Sequence, residues 1–191
     1  MKKEATDREA RVAALLHAAE GVFMRHGFAR TTMGMIGEAA CMSRPAVYLL
    51  FPGKEEIFSA LVIALNRRQL ACFAERASAQ DGLHARLLSI CIGWNESVFD
   101  VHALHPEARD MDNLGFAAVR QIYDELAEFL AGYFRRDGGL TDDTADIAGR
   151  TLALAARGCR VAAQSREDMM AMICQLVAAM AKGHDQASHS R

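Results

Sequence analysis

The chain has 191 residues, of which 51% are apolar, 24% are charged and three are prolines, a composition typical of an ordered protein with one or two domains. It shows neither an apolar signal segment nor a run of about 18 apolar residues, so we expect a cytoplasmic protein that does not enter a membrane. The five cysteines are scattered and include no CxxC pair, which argues against a disulfide framework or a zinc site.

The formal net charge of −2 hides a difference between the two parts of the chain. Residues 1–54 carry eight basic and five acidic side chains, whereas the rest of the chain carries 14 basic and 19 acidic ones. A basic end joined to an acidic body is typical of a protein that places only one end on phosphates. The charge therefore allows the N-terminal part to bind nucleic acid.

The first predicted helix runs from about Asp7 to His26 and ends at Gly27. Apolar residues recur three and four apart along it, which predicts one buried stripe. The stripe consists of Val12, Leu15, Leu16, Ala19, Val22 and Phe23. We expect this helix to brace the short helices that follow it.

Residues 31–54 predict a helix, a tight turn and a second helix. Thr31 or Thr32 can cap the first of these helices, because a hydroxyl there accepts a hydrogen bond from an unpaired N–H group of the first turn. Ser43 gives a second capping signal, and the Pro-Gly pair at residues 52–53 ends the second helix. Two short helices joined by a tight turn are typical of a helix-turn-helix, whose second helix presents its first residues to base edges in a major groove.

From residue 54 onwards, the spacing of apolar residues and the segments that end helices predict six further helices. The sequence therefore predicts an all-α protein of about nine helices. The six further helices are expected at about residues 54–79, 83–101, a short one from 106, 119–133, from 141 and 167–182.

The pattern T-x-x-x-I-x-x-A-x-x-x-S-x-x-x-x-Y-x-x-F-x-x-K resembles the DNA-binding region of the TetR (tetracycline-repressor-like) family. It is filled here by Thr32, Ile36, Ala39, Ser43, Tyr48, Phe51 and Lys54. The resemblance implies a three-helix DNA-binding domain at residues 9–69, with the helix-turn-helix at about 31–51. It also implies a helical ligand-binding and dimerisation domain at residues 70–186.

By the same resemblance, the chain would be a transcriptional repressor rather than an enzyme, with no cofactor. It would bind a near-palindromic double-stranded DNA operator as a homodimer and release it when a small apolar or amphipathic effector binds. The homodimer is expected to form through the two C-terminal helices. Small residues in the eighth predicted helix let another helix approach closely, and the ninth offers a broad apolar face.

The predicted DNA-binding residues lie in and beside the helix-turn-helix. They are Thr31, Thr32, Ser43, Arg44, Pro45, Ala46, Tyr48, Leu49 and Lys54. Arg44 is the candidate for reading sequence, because a guanidinium at the start of a recognition helix can bond to guanine O6 and N7. Ala46 and Leu49 offer apolar contact, for instance with a thymine methyl group, while Tyr48 and Lys54 are candidates for phosphate contact.

Two departures from the family pattern lie in the same segment. Cys41 stands where the family usually has glycine in the turn, and Leu49-Leu50 stands where histidine or tyrosine is common. The first indicates a less permissive turn, and the second indicates fewer polar contacts with the DNA backbone.

Aromatic and polarizable residues concentrate in the fifth to seventh predicted helices, where the family's effector pocket would lie. They are Trp94, Phe99, His102, Met111, Phe116 and Tyr123. Such residues also fill ordinary cores, which is the alternative interpretation. His102 and His105 alone do not make a metal site.

Two other functions remain open at this stage. The histidines and cysteines could serve a helical-bundle enzyme or a metal carrier, although the sequence contains no nucleophile, phosphate-loop or HExxH motif. Alternatively, oxidation of Cys41 in the turn could couple a redox signal to DNA release.

Overall fold

The computed structural model describes the backbone of residues 2–188 and the side chains of residues 7–181. Within this part the chain forms eight α-helices and one 3-10 helix and no strand, which confirms the predicted all-α class. The predicted short sixth helix is the 3-10 helix. The elements are α1 (Lys2–Arg30), α2 (Met33–Ala39), α3 (Arg44–Leu50), α4 (Lys54–Ser78), α5 (Gly82–Leu104), the 3-10 helix (Pro106–Asp112), α6 (Ala117–Gly138), α7 (Asp142–Ala162) and α8 (Arg166–Ser188).

The chain divides into two compact units that do not follow sequence order. The first unit comprises Met1–Leu65 and Val101–Arg120, and the second comprises Asn66–Asp100 and Gln121–Arg191. Helices α4, α5 and α6 therefore contribute to both units. The functional domain boundary near residue 70 stays a prediction.

The core of the first unit is built on the predicted stripe of α1 and on four phenylalanines. Phe23 and Phe58 are fully buried, and their ring centroids are 5.5 Å apart. Phe28 and Phe116 complete the cluster, with their centroids 4.6 Å apart in an edge-to-face arrangement. Burial of each large apolar side chain is worth about 1.5–3 kcal/mol, so this cluster is a major source of the unit's stability.

Helix α1 is kinked before its last turn, at a backbone conformation that requires glycine. Gly27 has φ 67° and ψ 175°, a region that residues with a Cβ avoid. A Cβ there would lie 2.3 Å from the carbonyl oxygen of Glu107 and 2.9 Å from a carboxylate oxygen of Asp110. That carboxylate accepts hydrogen bonds from the N–H groups of Phe28 and Ala29, each at 2.8 Å.

Lys54 secures the same turn from the other side. Its ammonium group donates to the carbonyl oxygens of Phe28, Ala29 and Thr31 at 2.8, 3.2 and 2.9 Å. It also lies 4.5 Å from the centroid of the Phe28 ring. We call Gly27–Thr31, together with Asp110 and Lys54, the α1 junction.

The second unit depends on a close approach between α6 and α7. A Cβ on Gly149 would lie 2.3 Å from the carbonyl oxygen of Ala127 and 2.8 Å from the backbone nitrogen of Ala131. Much of the small-residue surface of α7 therefore packs inside the same chain, rather than being left free for a partner as the sequence suggested. The other buried small residues of α7 are Ala145, Ala148, Ala153 and Ala156.

Helix α4 is, within the described residues, the one helix long and apolar enough to cross a membrane by length and composition alone. No such segment was expected from the sequence. The centre of α4 carries Asn66, Arg67 and Arg68, and its side chains Ile57 and Phe58 are fully buried within the first unit. A single helix of this kind is weak support for a membrane span, since core helices have the same length and composition.

We predict that Gly27→Ala lowers the stability of the protein by about 3 kcal/mol or more. The substitution forces a Cβ into a disfavoured backbone region, at a cost of order 1–3 kcal/mol, and into the backbone of the 3-10 helix. Chemical denaturation followed by circular dichroism measures the change. Gly132→Ala in α6 is the matched control, because nothing beyond its chain neighbours and the backbone of its own helix lies within 4 Å of the added carbon, and a helical alanine should stabilise by about 0.5–1 kcal/mol. Equal midpoints for the two variants would contradict the role of Gly27.

Candidate nucleic-acid interface

The turn between α2 and α3 has the hydrogen-bonding pattern of a Schellman motif. The N–H of Met42 donates to the carbonyl of Gly37 at 2.8 Å, and that of Cys41 donates to the carbonyl of Glu38 at 3.1 Å. Cys41 has a φ of 52°, in the left-handed region. This explains why glycine is usual at that position and confirms the less permissive turn indicated by the sequence.

Helix α2 begins as predicted, with the hydroxyl of Thr32 accepting a hydrogen bond from the N–H of Met35 at 3.2 Å. It packs closely against the start of α3. A Cβ on Gly37 would lie 3.2 Å from Val47 Cγ2, and Ile36 and Val47 are both fully buried. This contact determines which side of α3 faces inward.

The opposite side of α3 is exposed. Tyr48 and Leu49 retain 44% and 78% of their accessible surface, and Ser43, Arg44 and Pro45 are also exposed. The guanidinium carbon of Arg44 lies 5.9 Å from the Tyr48 ring centroid. We call these five residues the recognition face. Ala46, the remaining predicted contact in α3, is half-buried at its edge.

Two residues that were predicted to bind DNA instead make hydrogen bonds within the protein. Thr31 is 1% exposed and donates its hydroxyl hydrogen to the carbonyl of Gly27 at 2.6 Å. The ammonium of Lys54 has three donors, and all three go to the carbonyls of the α1 junction. Neither group is presented for phosphate contact, so we assign both residues to the structure of the junction instead.

The six residues predicted to line an effector pocket are divided between the two compact units, and their common role stays a prediction. Trp94, Phe99 and Tyr123 belong to the second unit, and the Trp94 and Tyr123 ring centroids are 6.1 Å apart. His102, Met111 and Phe116 belong to the first unit. Phe116 packs in the phenylalanine core there, so its position supports the alternative of an ordinary core residue.

A buried polar cluster in the second unit was not predicted from the sequence. Asn95 and Arg160 are 1% and 5% exposed, and Arg160 donates to the Asn95 amide oxygen at 3.2 Å and to the Tyr123 hydroxyl at 3.1 Å. One signal could have found Arg160. It lies four residues after Ala156 on the stripe of α7 that faces the core.

The described residues contain no group of three or more His, Cys, Asp or Glu side chains that could hold a metal ion. Among the thiols, burial raises the pKa of Cys91 to about 12, which disfavours the reactive thiolate. Cys41 is exposed.

Two short helices joined by a tight turn, with the second held outward by its buried Val47, define a helix-turn-helix protein of the DNA-binding class. The family model "Bacterial regulatory proteins, tetR family" matches residues 15–61. The match covers α2 and α3 with parts of α1 and α4, so this segment of the chain is similar to that family.

Two curated relatives match about half of the chain. The transcriptional regulator TtgR of Pseudomonas putida is 34% identical over 101 residues, which are 52% of this chain and 47% of that protein. ArpR of Pseudomonas putida, a probable transcriptional regulator, matches to the same extent. The chain thus spans about half the length of the curated relatives it matches.

Two crystal structures show the extent of the fold. A TetR-family transcriptional regulator from Streptomyces coelicolor superposes with a TM-score of 0.64 at 20% identity, covering 94% of this chain and 85% of that one. A protein from Mesorhizobium loti, described as a regulator of the same family, gives a TM-score of 0.66 at 18% identity, with coverage of 91% and 96%. The fold likeness therefore extends over nearly the whole chain.

We predict that Cys41→Gly stabilises the protein by about 1 kcal/mol, because glycine adopts the left-handed conformation without the steric cost of a Cβ. Thermal unfolding measures the effect. Cys72→Gly is the matched control, since Cys72 is also exposed but lies inside α4, where glycine should destabilise by about 0.5–1 kcal/mol. A loss of stability in both variants would contradict the strain assigned to Cys41.

Proposed function

We propose that this protein is a DNA-binding transcriptional repressor that acts as a homodimer and responds to a small-molecule effector. The observation that carries the proposal is the recognition face, in which α3 buries only Val47 and leaves Arg44, Tyr48 and Leu49 in solvent. A short helix with an exposed face of this kind has the dimensions of a recognition helix, which contacts base edges in the major groove of DNA. Function in transcription also implies a cytoplasmic location.

Four side chains of the recognition face have distinct roles in the proposal. Arg44 bonds to a guanine through its two parallel N–H groups, and Leu49 contacts a thymine methyl group. The hydroxyl groups of Ser43 and Tyr48 donate to backbone phosphates and so fix the orientation of the helix. The face carries one cation and two apolar side chains, so direct reading of the operator would centre on Arg44.

The proposed dimer forms through α7 and the adjacent α8. Ile147, Leu154 and Val161 lie seven residues apart on α7 and are 68%, 43% and 63% exposed, so they form one apolar line along the outside of the helix. Gly158 lies on the same side with open space around its Cβ position, which lets a second helix approach. A second copy is the natural occupant, because a two-fold axis places the same stripe on both partners.

Dimerisation sets the geometry of DNA binding. Two copies of α3 would enter successive major grooves, with half-sites about 34–36 Å apart. Helix α4 is continuous from the first unit into the second. An effector that binds the second unit more tightly in one position of α4 than in another would change this spacing and release the operator.

We predict that Arg44→Ala weakens binding to the specific operator by roughly 5- to 150-fold, which corresponds to the ~1–3 kcal/mol of one bidentate base contact. The operator is first obtained by selection from a random duplex library, and affinities are then measured by gel shift at fixed salt. Arg67→Ala, an exposed arginine on α4, is the charge-matched control and should bind as the wild type does. If Arg44→Ala selects the same sequence with the same affinity, Arg44 does not read bases.

We predict that Leu154→Glu converts the dimer to a monomer at the same protein concentration, since two carboxylates would face each other across the two-fold axis. Analytical ultracentrifugation gives the mass. Leu104→Glu is the control, because Leu104 is 75% exposed but lies outside α7. A dimer that survives Leu154→Glu would place the interface elsewhere.

A further inference from the structure

A groove in the first unit lies beside the turn that precedes the recognition face. Its volume is about 650 Å³, within the range of about 300–1,000 Å³ that is typical of small-molecule sites. Its lining residues belong to α1, to the last residue of α2 and to the turn that follows α2. The whole groove therefore lies inside one compact unit.

The floor of the groove is formed by small residues of α1. Ala14, Ala18 and Gly21 line it, and their spacing of four and three residues puts them on one face of the helix. A Cβ added to Gly21 would lie 3.4 Å from Nη1 of Arg25. The Arg25 guanidinium therefore folds back along α1 over Gly21, which places a cation beside the open floor.

Polar side chains of several kinds line the same groove. They are His17, Glu20, Arg25 and Cys41. Glu20 is half-buried, and the other three are exposed. A guanidinium pairs with the carboxylate of a ligand, and a carboxylate pairs with an ammonium group. The groove thus offers complementary charges to a ligand that carries both groups, as amino acids and short peptides do.

Cys41 is the thiol of this chain that is best placed to react with such a ligand. All five cysteines lie in the described part of the chain, and only Cys41 and Cys72 are exposed. Burial raises the pKa of Cys91 to about 12 and also raises that of Cys159, which disfavours their reactive thiolates. Cys72 lies in α4 and does not line the groove. Cys41 alone combines exposure with a neighbouring binding surface.

We propose that the groove is a site of reversible S-thiolation, at which Cys41 reacts with a small peptide-like disulfide that carries carboxylates, of the class of glutathione disulfide. Cys41 loses its thiol proton to solvent, and its sulfur attacks one sulfur of the disulfide. The S–S bond of the reagent breaks, and a new S–S bond joins one half of it to Cys41. The other half leaves as a thiolate and takes up a proton. The reagent is itself the oxidant, and excess thiol reverses the reaction.

The modification would act on the recognition face through the turn. Cys41 lies in that turn, two residues before Ser43, where α3 begins. A glutathionyl group carries a net negative charge, which is repelled by the phosphates of DNA. This effect on DNA rests on the proposed function, whereas the modification itself does not.

The first test compares Cys41 with Cys72 in the same reduced, full-length protein. Glutathione disulfide or the neutral bis(2-hydroxyethyl) disulfide is added, and mass spectrometry of peptides from quenched samples gives the rate at each cysteine. We expect glutathione disulfide to modify Cys41 about tenfold or more faster than Cys72, and the neutral reagent to discriminate less. The same ratio of rates for both reagents would overturn the proposal.

The second test removes the cation of the groove. Arg25→Gln should slow the reaction of Cys41 with glutathione disulfide by about fivefold and leave its reaction with the neutral disulfide unchanged. Arg11→Gln is the matched control, because Arg11 is exposed on the same helix but does not line the groove. It should react as the wild type does. An Arg25→Gln variant with wild-type rates for both reagents would refute the role of the groove in selecting the disulfide.

Gel shifts with the selected operator separate this inference from the proposed function. S-thiolated protein should bind the operator about tenfold or more weakly than reduced protein, and dithiothreitol should restore binding. Binding by Cys41→Gly should not respond to the disulfide. If S-thiolated protein binds the operator as reduced protein does, the regulatory effect is wrong and the regulator stands. If Cys41 reacts selectively and no duplex is selected, the modification site stands and the regulator does not.

Discussion

The first unit depends on the way the chain turns at the end of α1. Gly27 adopts a conformation that other residues avoid, and the Asp110 carboxylate then accepts two backbone N–H groups while Lys54 donates to three carbonyls. Polar backbone groups at a helix end must find partners, and here two opposite charges supply them. The direction in which the chain enters α2, and hence the outward orientation of α3, follows from this arrangement.

Much of this unit could be predicted from sequence because its determinants are local. The apolar period predicted the buried stripe of α1, and Thr32 caps α2 as its position suggested. The role of Lys54 was misinterpreted because its partners are distant in the sequence. A lysine at a helix start looks like a phosphate contact, and nothing in its neighbours shows that its donors are used by carbonyls more than twenty residues earlier. Asp110 could not be found at all, because its partners lie 82 and 81 residues away.

In the second unit, the sequence did not show which side of α7 faces a neighbouring helix. The small residues of α7 were correctly interpreted as a surface for close helix packing, but composition does not say which helix approaches. Gly149 faces α6, whereas Ile147 faces solvent together with Leu154, which lies seven residues further along the same helix. The buried position of Arg160 was also missed, since an arginine in a helix is usually exposed, although its four-residue spacing from Ala156 puts it on the buried stripe of α7. Its position depends on Asn95 and Tyr123, which lie 65 and 37 residues away in the sequence.

The α1 junction is also linked to α5 through the 3-10 helix that follows α5. Residues 101–120 belong to the first unit, and α5 reaches them as one continuous helix from the second. A shift of α5 along its axis would therefore displace the 3-10 helix that carries Asp110. Hydrogen bonds weaken steeply as distance and angle depart from their optimum, so a small displacement would free the N–H groups of Phe28 and Ala29. The chain therefore runs from α5 into the 3-10 helix, and the hydrogen bonds of Asp110 join that helix to the turn that precedes the recognition face.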